Sequence, residues 1–88
     1  MPERTVTIVN QVGLHARPAA QIVKLASGFK SDITLAREDL EVNAKSIMGV
    51  MMLAAERGAQ LRLCAEGPDA EAALHALAAL IADGFGES

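Results

Sequence analysis

A two-layer α+β sandwich, with elements in the order β-α-β-β-α-β-α, is the fold that this sequence predicts. Two patterns carry the prediction. Four short segments alternate apolar and polar residues, each with one apolar face. Other segments repeat apolar residues at helical spacing. A sheet with one apolar face needs one covering layer of helices, which leaves its other face open to water. The 88 residues suffice for one domain, 1–88, and are too few for two.

The elements follow in chain order. Arg4 to Val9 alternates and is β-branched, so it reads as a strand with Val6 and Ile8 on the core face. Asn10 to Gly13 is a loop. From Ala16 the period lengthens: Ala19, Ile22, Val23 and Ala26 form one helical face, opposite Arg17, Ala20, Gln21, Lys24 and Ser27. Gly28 is placed to stop that helix. Asp32 to Arg37 alternates again with Ile33 and Leu35 inward, and Leu40 to Asn43 returns as a hairpin partner.

Ser46 precedes IMGVMMLAA as the N-cap of a short helix, with Val50 and Leu53 as its core residues. Gln60 to Glu66 is the fourth strand, with Leu61, Leu63 and Ala65 inward and Cys64 outward. After Gly67-Pro68, Asp69 caps a helix from Ala70 to about Ala82, whose stripe is Ala70, Ala73, Leu74, Leu77 and Ile81, and Gly84 closes it. The Arg37-Glu38-Asp39 run reads as a solvated turn, and His75 as a solvated helix flank.

Composition excludes several functions. Net charge is −3, with no basic stripe, which disfavours a nucleic-acid backbone as partner. Phe29 and Phe85 are the only aromatic residues, too few for base stacking. Cys64 is the single cysteine, so no internal disulfide and no thiolate pair is available. The polar, alternating start MPERTVTIVN is unsuited to secretion, and no apolar run is long enough to cross a bilayer. The expectation is a soluble cytoplasmic protein.

The chemistry concentrates at GLHARPAA, residues 13–20. His15 falls at or beside the N-cap of the first helix. The first amides of a helix lack internal acceptors, and the helix dipole makes that end positive. A phosphoryl group is favoured there, and Arg17 adds a charge with fork geometry. Pro18 fits a first turn and biases Arg17 away from helical angles. The positive end disfavours the imidazolium form of His15, leaving a neutral ring that can act as a nucleophile. The inferred chemistry is reversible phosphorylation of a ring nitrogen; spacing does not choose which one. A surface histidine that merely sits near a helix start fits the same spacing. So does a pure interaction module, in which the methionines bind a partner. A hydrolase with His15 as general base lacks a second catalytic group.

Three stretches, GLHARPAA around His15, NAKSIMGVMML around Ser46 and EGPDAEAAL before the last helix, resemble the histidine-containing phosphocarrier (HPr) family of the bacterial sugar phosphotransferase system. The resemblance runs over essentially the whole chain. It implies a four-stranded antiparallel sheet of order 1-4-2-3, covered on one face by three helices. It implies that His15 takes a phosphoryl group from phosphorylated enzyme I, on the pros nitrogen, and passes it to a histidine of enzyme IIA. Arg17 would stabilise the phosphate, with Ala16 at the anion-binding helix start. The protein would be a monomeric carrier that needs no metal or organic cofactor, and not an enzyme.

Ser46 matches the family site that an HPr kinase/phosphorylase modifies in some bacteria; it is equally an N-cap that needs no kinase. Ala20, Lys24, Ser27, Ile47, Met48, Gly49 and Met51 match the family's partner surface, unless some of them fill the core. Ser27 and Gly49 stand where many members carry basic residues. A nitrogen-related branch, in which the relay serves regulation, is the alternative within the family.

Overall fold

The computed structural model describes residues 2–87. Strands β1 (Glu3–Thr7), β2 (Asp32–Arg37), β3 (Leu40–Asn43) and β4 (Gln60–Glu66) form one sheet of order β1-β4-β2-β3. All three pairings are antiparallel. Helices α1 (Ala16–Ala26), α2 (Ile47–Met52) and α3 (Ala70–Ala82) alternate with the strands in the expected order, and a 3-10 turn, Gly84–Gly86, follows.

The inward residues of the strands and the stripe of α3 close one core. Ile8, Ile22, Ile33, Leu35, Val50, Leu61, Leu63, Leu74, Leu77 and Ile81 are fully buried in it. The alternating partners, Thr5, Arg62 and Glu66 among them, face water. Cys64 lies on that open face, beside Glu3 and Thr34 in register. This inside-out alternation fixes register, because a slip by one residue would send the whole apolar set to solvent.

Four local expectations change. The first strand ends at Thr7, not Val9, because its partner β4 begins at Gln60 opposite it. Ile8 still exchanges hydrogen bonds with Ala59 and Gly58, but those residues turn away and Val9 is exposed. Helix α2 stops at Met52, short of the end of IMGVMMLAA, because Ala54 turns left-handed at φ 47°.

Arg37 is no bystander in a solvated turn. It donates to the carbonyls of Leu53 and Ala54 at 3.3 and 3.1 Å and pairs with Glu56 at 2.9 Å. A cation at the carbonyl end of a helix satisfies acceptors that the helix itself leaves open. The carboxyl of Glu56 is held below its usual range, first by its own backbone N–H and then by Arg37.

Asp69 sits at the N-cap of α3, but its side chain makes no cap bond. Its carboxylate reaches across to the α1–β2 loop instead and accepts from the Lys30 and Ser31 amides and the Ser31 hydroxyl. Three donors favour the ionised form, and the Ser31 hydroxyl, then the Lys30 amide, lower its pKa to about 2.

Candidate functional site

The site is a loop held against the segment behind α2, running into α1. Gly13 has φ 80°, and a Cβ there would stand 2.6 Å from the Ala55 carbonyl oxygen, so only glycine fits without displacement. The next amide, Leu14 N–H, donates to that same carbonyl at 2.8 Å. Leu14 is buried. The segment after α2, braced by Arg37, thus carries the loop that carries His15.

His15 is the N-cap of α1, with extended backbone (φ −87°, ψ −173°) and no cap bond from its side chain. The first helical bond runs from Ala19 N–H to the His15 carbonyl. Ala16 and Arg17 therefore present amides with no intrahelical acceptor, and Pro18 has no N–H to leave unpaired. Arg17 lies inside the helix, against the backbone preference expected of a residue before proline. Pro18 sits at the third helical position, where its missing N–H breaks no bond, so the first turn tolerates the pair. The Arg17 side chain is exposed and forms no ion pair among the described residues.

The fold adds a group that sequence reasoning missed. The Glu87 carboxylate meets His15 Nε2 at 3.0 Å, from 72 residues away in the chain. The side chain of His15 is 39% exposed and that of Glu87 21%. A carboxylate oxygen accepts a hydrogen bond, so the contact pairs it with an N–H on Nε2. Glu87 is itself held by Asn10, whose Nδ2 donates to its Oε1 at 3.0 Å and to the Gly13 carbonyl at 2.8 Å. In the sequence Asn10 reads only as a loop residue, and Glu87 belongs to no motif. No local spacing links either to His15.

Ser46 is the N-cap of α2, and its hydroxyl accepts from Gly49 N–H at 3.1 Å. Val50 and Leu53 are buried as expected. Ile47, Met48 and Met51 are exposed, Met48 by 75%, so they do not fill the core; Met52 joins them on the surface. Gly49 is half-buried, with Ser46 and Val42 beside its Cα. Ala20 and Lys24 on α1 and Ser27 at its C-cap are exposed, and α1 packs on α2. No cluster of three metal-ligating side chains occurs among the described residues.

The family model described as "PTS HPr component phosphorylation site" matches residues 2–83. The chain belongs to the HPr family of phosphocarriers of the phosphotransferase system. It is 51% identical over 87 residues to the phosphocarrier protein HPr of Cupriavidus necator, covering 99% of this chain and 98% of that one. HPr-C-His from Thermoanaerobacter tengcongensis has the same fold, with a TM-score of 0.96 at 50% identity, covering 100% of this chain and 99% of that one. The phosphocarrier protein NPr of Shewanella violacea shares less, 42% over 86 residues, covering 98% of this chain and 94% of that one. The HPr of Cupriavidus necator is more similar to this chain than that NPr, which favours the sugar-transport reading over the nitrogen-related one. No helix among the described residues is long and apolar enough to cross a membrane.

Proposed function

We propose that His15 is the phosphoryl acceptor of this phosphocarrier, taking the group on Nδ1 from phosphorylated enzyme I and passing it to a histidine of enzyme IIA. The observation that carries the reading is the half-exposed imidazole at the amino end of α1, followed by the Ala16 and Arg17 amides without internal acceptors and by the exposed Arg17 side chain. A phosphoryl group on that ring meets a positive helix end and a guanidinium. The protein is then the substrate of its partners and not a catalyst itself. Residues 1–88 act as one monomeric carrier domain in the cytoplasm, with no metal or organic cofactor.

Docking uses the face that joins α1 to α2: Ala20, Lys24 and Ser27 from the first, Ile47, Met48, Gly49 and Met51 from the second. Flexible, polarisable methionine side chains let one surface fit several partners. Ser46 stands beside that face, and its modification by an HPr kinase/phosphorylase would add about two negative charges there.

The test is incubation with enzyme I, phosphoenolpyruvate and Mg²⁺, followed by intact mass and acid treatment. The expected result is one acid-labile phosphate, absent in His15→Ala. A pure interaction module would gain no phosphate. A hydrolase would turn over without a trapped phosphoprotein.

A further inference from the structure

We propose that Glu87 and Asn10 are positioning residues for phosphoryl transfer: Asn10 holds the Glu87 carboxylate against His15 Nε2, and the carboxylate keeps the ring proton there, leaving Nδ1 as the nucleophile. The inference rests on His15 being the phosphoryl acceptor and adds what selects its nitrogen.

The C-terminal tail is built to deliver this carboxylate. After α3, Gly84, Phe85 and Gly86 take φ of 66°, 60° and 73°, three left-handed residues in succession. A phenylalanine in that region is strained and persists only where its surroundings hold it. Phe85 is buried in the core, and that burial anchors the turn. The chain reversal brings Glu87 back over the loop before α1, where each of its oxygens has a separate partner, Asn10 Nδ2 and His15 Nε2, both at 3.0 Å.

Asn10 is only 3% exposed. Its amide orientation is forced, since the reverse would set Oδ1 against two acceptors, the Gly13 carbonyl and the Glu87 carboxylate. In the orientation it takes, Oδ1 has no partner among the described residues. A buried amide with an unpaired oxygen is unfavourable. It is retained here with both of its N–H groups committed, one to the loop and one to the tail.

An ionised carboxylate only accepts hydrogen bonds, so the nitrogen facing it carries the proton. The lone pair of the neutral ring is then on Nδ1. In transfer, that pair forms the new P–N bond while the bond between phosphorus and the donor's phosphate-bearing atom breaks, its electron pair staying on that donor atom. The His15 ring becomes positive as the bond forms, and the Nε2 proton faces Glu87 throughout. A fixed carboxylate aimed at developing positive charge lowers the barrier.

The test begins with the unmodified protein, enzyme I and phosphoenolpyruvate. Absence of phosphate on His15 would defeat the acceptor reading itself, separately from this one. Given phosphorylation, ¹⁵N NMR of the ring and steady-state kinetics compare Glu87→Ala, Glu87→Gln and Asn10→Ala. Wild type should hold the Nε2–H tautomer. Glu87→Ala should move the ring toward the mixture of a free imidazole and lower kcat about five- to tenfold, with KM for enzyme I unchanged. Glu87→Gln should not restore kcat, because the charge is gone. Asn10→Ala should act in the same direction, by about two- to threefold. If Asn10→Ala melts early, Asn10→Ser gives the same reading in a folded protein. An unchanged tautomer and kcat in Glu87→Ala, or a loss confined to KM, would overturn the proposal. A melting-temperature drop in the Asn10 variants without tautomer change would remove Asn10 from it.

Discussion

The Leu14 amide donates to the Ala55 carbonyl at 2.8 Å, so the segment that presents His15 hangs from the linker behind α2. Position and chemistry of the ring therefore depend on residues far from it in sequence. That dependence makes the loop glycine critical.

Gly13→Ala forces a Cβ into the Ala55 carbonyl, 2.6 Å away, and a side chain onto φ 80°. The loop must shift, at a cost of about 1–3 kcal/mol. Thermal unfolding should show the loss, and phosphorylation by enzyme I should slow because His15 moves with the loop. Wild-type melting together with a wild-type rate would contradict the pinning.

Arg17→Ala should slow phosphoryl transfer about tenfold or more, since a guanidinium next to developing phosphate charge is lost. Arg17 is exposed and forms no ion pair among the described residues, so the melting temperature should hardly move. A large drop in stability at an unchanged rate would assign the residue to the fold instead.

Ser46→Asp separates the cap from the charge. Aspartate caps a helix as well as serine does, so α2 should persist, whereas Ser46→Ala should cost about 1 kcal/mol by freeing Gly49 N–H. The added charge beside the docking face should raise KM for enzyme I. Phosphorylation of Ser46→Asp as ready as that of wild type would end the regulatory reading.

Asp69 predicts the shape of the acid limb. Its carboxyl falls from 3.8 to about 2 on folding, chiefly through the Ser31 hydroxyl and then the Lys30 amide. A depressed folded pKa means that the unfolded chain binds the proton first as pH falls. The stabilisation is complete above about pH 4 and fades toward pH 2. Asp69→Asn should melt earlier than wild type at neutral pH, and the gap should close across that window. A gap independent of pH would mean that the carboxylate charge contributes nothing.

Periodicity made the layers legible. The alternation at Ile33, Leu35, Leu61 and Leu63 and the stripe from Ala70 to Ile81 describe burial that the structure shows residue by residue. Element order followed from the same spacings, and the sheet order came with the family resemblance. His15 at a helix start was legible too, because capping is a local matter of backbone amides. Where local rules misled, a long-range partner had intervened. Asp69 turns from its own helix to Ser31, and Arg37 leaves its hairpin for the carbonyls behind α2.

By itself the sequence determined the apolar pattern, hence the two layers, and placed an imidazole at the positive end of a helix; both depend on neighbours within a turn or a strand. Only the tertiary structure decided which acid faces that imidazole. Glu87 lies 72 residues from His15 along the chain, and left-handed turns anchored by a buried Phe85 bring it there. Contacts of that kind depend on how the elements close on one core, and residue spacing carries no record of it.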